Sequence, residues 1–496
     1  MRRRELLMAL GGAPWLLGGV AAAAAPEGFT GDTVAQLAKA ASSQPFQAPT
    51  RRLPEALSQI SYDAYRAIRY RPERALWRDQ ALPFQVELFF RGLYFPERID
   101  LYQVDGGRRA APIAYDSGCF ESDQLPLASL PSDLGYAGFR LHAPLNRPDY
   151  FDEAASFLGA SYFRSLGRGQ TYGLSARGLA LNTAAPGGEE FPVFKSFWIE
   201  RPAPNAQSIV VHALLDSRST TGAYRFSIRP GDWTVFDVQA RLFPRVGLDS
   251  AGLAPLTSMF LFGEASARRF DDFRRAAHDS DGLQIANGAG ERLWRPLSNP
   301  LTVQESAFKD HNPRGFGLIQ RSRSLSDFED LEARYDLRPS LWVEPQGDWG
   351  PGAVHLIEFP EATEHEDNIV AFWRPQAPLA SGVEHVFNYR LSWGPPPPAA
   401  TGLAQVAQTR AGAGGAGGAR QFAIDFAGDG LDGVQPRIWS SAGDLSAATL
   451  TPNPRTGGVR LDFQLTPGAA RAIELRAELL RSGAVASESW MYRWTA

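Results

Sequence analysis

Two polar segments of the sequence carry the residue types that acid–base chemistry needs. Residues 274–282 read Arg-Arg-Ala-Ala-His-Asp-Ser-Asp-Gly, and residues 361–368 read Glu-Ala-Thr-Glu-His-Glu-Asp-Asn. Hydrolysis of a glycosidic bond uses one carboxylic acid to protonate the leaving oxygen and one carboxylate to activate water. Carboxylates in two loops at the edge of a sheet can supply that pair. Solvated acidic surface loops explain the same residues, and the residue types alone favour that second interpretation.

Other catalytic motifs are incomplete. Gly412, Gly414 and Gly417 have the glycine spacing of a dinucleotide-binding turn, but they lie in a Gly/Ala-rich stretch without the strand and helix that such a site needs. Ser175 lacks the glycine two residues later that a nucleophile elbow requires. We therefore expect a flexible loop at 411–419 and no serine nucleophile.

The sequence predicts neither a metal nor another cofactor. Its seven histidines show no H-E-x-x-H spacing. His365, Glu366 and Asp367 are adjacent, and neighbouring loop residues rarely converge on one ion. Cys119 is the only cysteine, so the chain forms no internal disulfide, and we expect this thiol to be buried and inert.

Strand patterns dominate the elements that must position the two loops. A hairpin is predicted around the turn Pro230-Gly231-Asp232. Helices are predicted at 32–42, with Asp32 as N-cap, and at 61–70. Many strands with Gly/Pro turns predict an all-β fold with a large antiparallel sandwich. Its predicted strands span 84–88, 99–104, 208–215, 224–229, 233–242, 354–359 and 385–393.

A proline-rich segment at 394–398 predicts a stiff linker and a domain boundary near residue 395. Short strand patterns follow it, and about one hundred residues of such strands are typical of an immunoglobulin-like sandwich. We therefore predict a first domain at 26–395 and a second at 396–496. The strands predicted in the second domain span 421–426, 459–465, 473–480 and 489–494.

The N-terminal residues have the composition of a secretory signal. Three arginines at positions 2–4 precede an apolar stretch at 6–20 and small residues at 21–25. We expect a signal peptide at 1–25 and a periplasmic mature chain. A twin-arginine signal and an ordinary Arg-rich signal both explain the basic start.

The charge of the mature chain argues against nucleic acid as a partner. Removing Arg2, Arg3, Arg4 and Glu5 leaves 47 basic and 53 acidic residues from the original 50 and 54, a net charge of −6. Phosphate binding requires a basic surface.

Many segments in the same order resemble one protein family along almost the whole mature length. They span residues 132–139, 157–164, 172–180, 214–217, 221–224, 254–260, 278–280, 312–318, 338–343 and 367–370. Together they resemble the periplasmic glucan biosynthesis proteins G and D, which act on osmoregulated periplasmic glucans. Segments 189–192, 197–202, 260–263 and 328–331 favour the G branch, whereas the Arg-rich signal and Asp281 are similar to the D branch, and on balance we expect a G-type member.

The resemblance implies a fold, a substrate and a reaction. The fold is a galactose-mutarotase-like β-sandwich followed by an immunoglobulin-like β-sandwich. The substrate is β-1,2-linked glucan, and the reaction is inverting hydrolysis with Asp367 as general acid and Asp279 as general base. Tyr335 and Arg338 lie in a segment similar to the family's cleft, where they would bind substrate, and core or surface roles are the alternative.

These roles place physical demands on the two carboxyl groups. Asp367 must be protonated near neutral pH, so we expect partial burial and the charges of Glu364 and Glu366 to raise its pKa. Asp279 must be ionised, and Arg274 or the following arginine is expected to hold it so. Inverting enzymes keep the two carboxyls ~6.5–9.5 Å apart, and a proton path through sugar hydroxyls and waters, which the resemblance implies, allows a larger separation.

Two other functions remain open. The chain can be a non-catalytic glucan-binding scaffold that assists the inner-membrane glucan synthase, or a transglycosylase that adds β-1,6 branches. Release of reducing ends, binding without products, and longer or branched products would distinguish the three.

Overall fold

The computed structural model describes residues 28–106, 108–266, 269–397, 402–415 and 418–496. The predicted signal peptide at 1–25 lies outside these ranges. Most of the regular structure within them is β-strand, which confirms the predicted all-β fold. No helix in the described part of the chain has the length and apolar character to cross a membrane.

One sheet forms the face that carries much of the candidate site. Within the described residues it has ten strands, and Ala180–Leu181 pairs beside its strand Ala251–Ser258. In spatial order its other strands are Gln85–Phe89, Gly138–Ala143, Asp152–Leu158, Tyr162–Ser165, Ser175–Arg177, Ala251–Ser258, Ile369–Pro375, Pro351–Glu358 and Gln304–His311.

A second, larger sheet packs against the first. It has fifteen strands in the described ranges, and Ala484–Val485 pairs beside Ala472–Arg481. In spatial order its other strands are Gln435–Ser440, Ala472–Arg481, Ser489–Thr495, Arg292–Pro296, Gly282–Ala286, Gly315–Ile319, Ser340–Gln346, His385–Gly394, Thr234–Pro244, Thr220–Arg229, Ile209–Asp216, Val193–Glu200, Asp100–Asp105 and Arg109–Pro112.

Phenylalanines from both sheets form the core of the large sandwich. The ring centroids of Phe157 and Phe226 lie 5.4 Å apart, and those of Phe163 and Phe236 lie 5.8 Å apart. Burying one such ring stabilises the fold by about 1.5–3 kcal/mol. Side chains alternate along a strand, so Arg164, the neighbour of Phe163, lies on the opposite, polar face of the ten-stranded sheet.

A smaller C-terminal sandwich is joined to the large one through a shared sheet. Trp490 on the strand Ser489–Thr495 pairs in parallel with Trp294 on the strand Arg292–Pro296. Phe422 and Phe463 pack on the ring of Trp490 at 5.9 and 6.2 Å. Phe422 and Phe463 belong to a separate sheet. Its five strands in the described ranges are Gln405–Ala413, Arg420–Ala427, Gly458–Thr466, Asp444–Leu445 and Thr449–Asn453.

The predicted strands of both parts have counterparts whose ends differ by no more than four residues. The strand His385–Gly394 ends at the predicted boundary near residue 395. The division into domains 26–395 and 396–496 stays a prediction, as do the specific likenesses to galactose mutarotase and immunoglobulin. Ala411–Ala413 belong to a strand that pairs with Arg420–Ala427, so the predicted loop over 411–419 is wrong at its start, and residues 416–417 of it lie outside the described ranges.

The helices are short and differ in part from the prediction. The first spans Thr33–Ser42, but the side chain of Asp32 makes no capping hydrogen bond and instead pairs with Arg241 at 2.6 Å. The second predicted helix ends early because Arg69–Tyr70 form a strand with Phe120–Glu121. The observed α-helices are Thr33–Ser42, Glu55–Ser58, Tyr62–Arg66 and Leu325–Phe328, and the 3-10 helices are Pro72–Arg74, Arg78–Gln80, Ser117–Cys119, Leu127–Ser129 and Tyr335–Leu337.

A buried ion pair joins the C-terminal sandwich to the large one. The guanidinium of Arg321 contacts both carboxylate oxygens of Glu488 at 2.8 and 2.9 Å. Glu488 also accepts hydrogen bonds from the side chain of Gln284 at 3.0 Å and from the backbone N–H of Val406 at 2.9 Å. The side chains of Arg321 and Glu488 are 10% and 3% exposed, so neither charge has water as an alternative partner.

We predict that Arg321→Ala lowers the free energy of unfolding by about 3–5 kcal/mol, because it leaves the charge of Glu488 buried and unpaired. Urea unfolding followed by tryptophan fluorescence measures this loss. The control is Arg147→Ala, which breaks an exposed pair with Asp149 and should leave the unfolding free energy unchanged within error. Equal effects of both substitutions would contradict a stabilising role for the buried pair.

Candidate active site

Asp279 lies directly after the short strand Ala277–His278 and is 4% exposed. Its backbone N–H donates to the carbonyl of Met259 at 2.8 Å. Its carboxylate accepts a short hydrogen bond from the guanidinium of Arg338, so the two side chains form an ion pair. Asp279 is therefore a buried carboxyl group with one cationic partner.

Asp367 lies on the loop that precedes the strand Ile369–Pro375, and its side chain is 27% exposed. The next residue, Asn368, is buried and anchors this end of the loop. Its backbone N–H donates to Ser258 at 3.1 Å. Its side-chain amide donates to the carbonyl of Phe260 at 3.0 Å and accepts from the N–H of Phe260 at 2.8 Å. The segment 258–260 thus holds Asp279 on one side and the Asp367 loop on the other.

The surroundings of Asp279 shift the pKa of its carboxyl group in opposing directions. Burial raises the pKa of this carboxyl group to about 6, although the positive charge of Arg338 acts in the opposite direction. The negative charge of Asp367 raises the pKa further, and Arg164 lowers it. The two carboxyl groups therefore influence each other electrostatically, and Asp279 is mostly ionised at neutral pH.

The pKa of Asp367 is also raised, and burial is the main cause. Arg164 and Arg177 oppose the rise, and the charge of Glu366 adds to it, as the sequence predicted. Nη2 of Arg164 lies 3.9 Å from Oδ2 of Asp367. Glu364, which was expected to act in the same way as Glu366, is bound to Arg274 at 2.7 Å instead.

Tyr335 and Arg338 lie side by side next to Asp279. The ring of Tyr335 is 1% exposed and lies under the guanidinium of Arg338, 4.3 Å from its central carbon. A Cβ added to Gly173 would come within 2.9 Å of the Cβ of Arg338, so a glycine is needed there for this close approach. The stack orients Arg338 toward Asp279, and direct contact of either residue with substrate stays a prediction.

The expected partner of Asp279 was wrong. Arg274 contacts Asp272, Asp330 and Glu364, and the following Arg275 is exposed. Arg338, fifty-nine residues from Asp279 in the chain, supplies the positive charge. The sequence suggested arginines close in number, whereas the fold brings together two connecting segments, one after the strand Ala277–His278 and one after the 3-10 helix Tyr335–Leu337.

A cleft with a volume of about 520 Å³ lies on the far side of Arg164 from Asp367, and its charged lining residues are Arg164 and Glu97. Arg164 lines the cleft and approaches Asp367, so it connects the two. Tyr94 and Phe191 also line the cleft and are exposed, as expected of flat rings available to a ligand. The cleft therefore offers aromatic surface and positive charge next to a carboxyl group.

Arg177 supports the wall of this cleft and was not singled out from the sequence. It is buried, donates to Glu189 at 2.7 Å and to Thr257 at 3.0 Å, and lies over the rings of Tyr162 and Phe191. Strand alternation places Arg164 and Arg177 on the polar face. The pairing of their strands across the sheet was not readable from the sequence, so their approach to Asp367 was not predicted.

Metal ligation is not evident in the described ranges, where no group of three or more His, Cys, Asp or Glu side chains is arranged to hold an ion. Cys119 is buried, as predicted, and burial raises the pKa of its thiol. Among the described side chains at this site, the two carboxyl groups and the arginines near them are the groups with opposite charges in contact.

Comparison with known proteins agrees with the resemblance seen in the sequence. Residues 29–494 match the family described as "Periplasmic glucan biosynthesis protein, MdoG". The chain is 51% identical to glucans biosynthesis protein G of Rhodopseudomonas palustris strain BisA53 over the full length of both, and 51% identical to that of Bradyrhizobium diazoefficiens over 94% of this chain and 93% of the relative. It is 50% identical to the protein G of Vibrio cholerae over 94% of this chain and 87% of the relative. The chain belongs to the MdoG family of periplasmic glucan biosynthesis proteins.

Proposed function

We propose that this chain acts in the periplasm in the biosynthesis of osmoregulated glucans, as an inverting β-1,2-glucanase. The observation that supports it best is that the backbone of residues 258–260 holds both Asp279 and the residue after Asp367, while Arg164 connects Asp367 to a cleft with exposed aromatic rings. Two carboxyl groups in different surroundings, Asp279 buried and Asp367 partly exposed, are what acid–base cleavage of a glycosidic bond requires. The relatives' names support the periplasmic location and the glucan as a partner.

Asp367 suits the role of general acid. Burial raises the pKa of Asp367, which is the direction that a general acid requires, and its partly exposed side chain gives a sugar oxygen access to it. In the proposed reaction Asp367 donates its proton to the glycosidic oxygen as the bond to C1 breaks.

Asp279 suits the role of general base. The ion pair with Arg338 favours its carboxylate form, which can accept a proton. Water attacks C1 from the face opposite the leaving group. It passes its proton to Asp279, either directly or through sugar hydroxyls. Attack from that face inverts the anomeric configuration, so the new reducing end is the α-anomer.

The first prediction concerns the reaction itself. Purified protein lacking residues 1–25 should release α-configured reducing ends from linear β-1,2-glucan, and Asp367→Asn and Asp279→Asn should each lower kcat by about a hundredfold or more. NMR of fresh digests gives the anomer, and a reducing-sugar assay gives the rate. Asp271→Asn, at an exposed carboxyl group on a nearby loop, is the control and should retain activity.

Other outcomes would replace the proposal. Binding of β-1,2-glucan without products would favour a scaffold that assists the inner-membrane glucan synthase. Longer or β-1,6-branched products would indicate a branching transglycosylase. Full activity in both Asp variants would leave the hydrolase in place and remove these two residues from it.

The second prediction separates acid from base. An aryl β-1,2-gluco-oligosaccharide with a good leaving group does not need protonation, so Asp367→Asn should hydrolyse it at nearly the wild-type rate. Asp279→Asn should remain inactive on the same compound. Added azide should restore its turnover by replacing water as the nucleophile, and the product should be an α-glycosyl azide. The opposite pattern would exchange the two roles.

The third prediction concerns pH. Because Asp279 must be ionised and its pKa is about 6, kcat/KM should fall as the pH decreases below about 6. Arg338→Gln removes a charge that lowers this pKa, so the acidic limb should move to higher pH. Arg334→Gln, which breaks the nearby pair with Asp336, is the control and should leave the limb in place. A change in KM alone in Arg338→Gln would assign Arg338 to substrate binding only.

A further inference from the structure

We propose that Arg274 is a positioning residue that fastens together the three loops carrying Asp279, Arg338 and Asp367. This inference rests on the proposed function, because it concerns how the acid and the base keep their relative places. Arg274 itself lies five residues before Asp279 on the segment leading into the strand Ala277–His278.

Arg274 contacts one carboxylate on each of the three loops. On its own loop, Nε and Nη2 bind Asp272 at 3.0 and 2.8 Å. Nη1 binds Asp330 at 2.7 Å, and Nη2 also contacts Glu364 at 2.7 Å. The side chain of Arg274 is 12% exposed, so these contacts are largely shielded from water. We call this group of four side chains the arginine clasp.

One arm of the clasp leads to the base. The second carboxylate oxygen of Asp330 accepts the backbone N–H of Ala333 at 2.7 Å and so fixes the turn before Tyr335. The carbonyl of Ala333 accepts from Nε of Arg338 at 3.2 Å, and Arg338 pairs with Asp279. Four consecutive polar contacts therefore connect Arg274 to the carboxyl group of Asp279.

The other arm leads to the acid. The loop that carries Asp367 is tied at its start, where Asn299 exchanges two hydrogen bonds of 2.9 Å with the backbone of Glu361. It is tied at its end by Asn368. Between these anchors, Glu364 links the middle of the loop to Arg274, three residues before Asp367.

The charge balance makes the clasp sensitive to the guanidinium. Three carboxylates surround one cation, so loss of Arg274 would leave like charges facing each other in a shielded place. A lysine supplies one point charge and cannot reproduce the fork that reaches three loops at once. A displacement of about 1 Å in such a site can lower the rate about a hundredfold.

The test uses the two kinds of substrate described above. Glu364→Gln releases only the acid side, so kcat on β-1,2-glucan should fall at least about tenfold while the aryl substrate is hydrolysed at nearly the wild-type rate. Arg274→Gln releases both sides, so both rates should fall, and Arg274→Lys should restore part of the loss. Arg245→Gln is the control, because Arg245 is equally buried and pairs with Asp216 at 2.9 Å on an unrelated part of the fold.

Hydrogen–deuterium exchange gives a readout independent of activity. Arg274→Gln should speed the exchange of backbone amides at both 329–334 and 361–367, and Glu364→Gln should speed it at 361–367 alone. Unchanged exchange in both variants, or equal loss of both rates in Glu364→Gln, would overturn the clasp. Faster exchange in a protein whose wild type cleaves no glucan would retain the clasp and reject the proposed hydrolase.

Discussion

The hydrogen bonds on either side of residues 258–260 are the constraint on which the site depends. Met259 receives the N–H of Asp279, while Ser258 and Phe260 hold Asn368 and with it the end of the Asp367 loop. These contacts are backbone bonds or involve a buried amide, so they permit little adjustment. Asp279 and Asp367, far apart in the chain, are thereby held in defined relative positions that neither loop could maintain alone.

Burial of charge determines how the rest of the site is built. A carboxylate as buried as Asp279 is costly unless a cation accompanies it. Arg338 is that cation, and the packing of Tyr335 and Gly173 around it limits its freedom. The pKa of Asp279 still lies above its ordinary value, so the compensation is incomplete. Because its folded-state pKa is raised, Asp279 contributes stability that is complete below its unfolded pKa of about 3.9 and is lost as the pH rises through about 6.

Much of the fold was readable from the sequence, because alternation and turn residues are local signals. The hairpin around Gly231 and the strands near it have the predicted extents within a few residues. The segment 69–70 was misassigned to a helix, because its pairing with residues 120–121 is a long-range contact. The cap at Asp32 failed for a similar reason: Arg241, from a distant strand, takes the carboxylate.

The residues of the candidate site were proposed only where the family resemblance named them, and their catalytic roles stay a prediction. Asp279 and Asp367 were identified in that way, and the charge of Glu366 acts on Asp367 as expected. Arg338 as the partner of Asp279 depends on how two distant connecting segments pack, and Arg164 beside Asp367 depends on how strands are arranged in a sheet. A single sequence does not reveal how distant segments pack together. Arg274, which is close to Asp279 in the sequence, was therefore wrongly predicted to be its partner.

The C-terminal sandwich is connected to the proposed base, Asp279, more directly than the predicted linker at 394–398 implies. Asp281, two residues after Asp279, accepts the backbone N–H of Ser322 at 2.7 Å. Arg321, the residue before Ser322, forms a buried ion pair with Glu488 of the C-terminal sandwich. Since Trp490 also continues the large sheet beside Trp294, the two sandwiches share both a sheet and a polar network. The C-terminal sandwich is thus part of the support that keeps the segment around Asp279 in place, and its contacts reach Asp281, two residues after the proposed base.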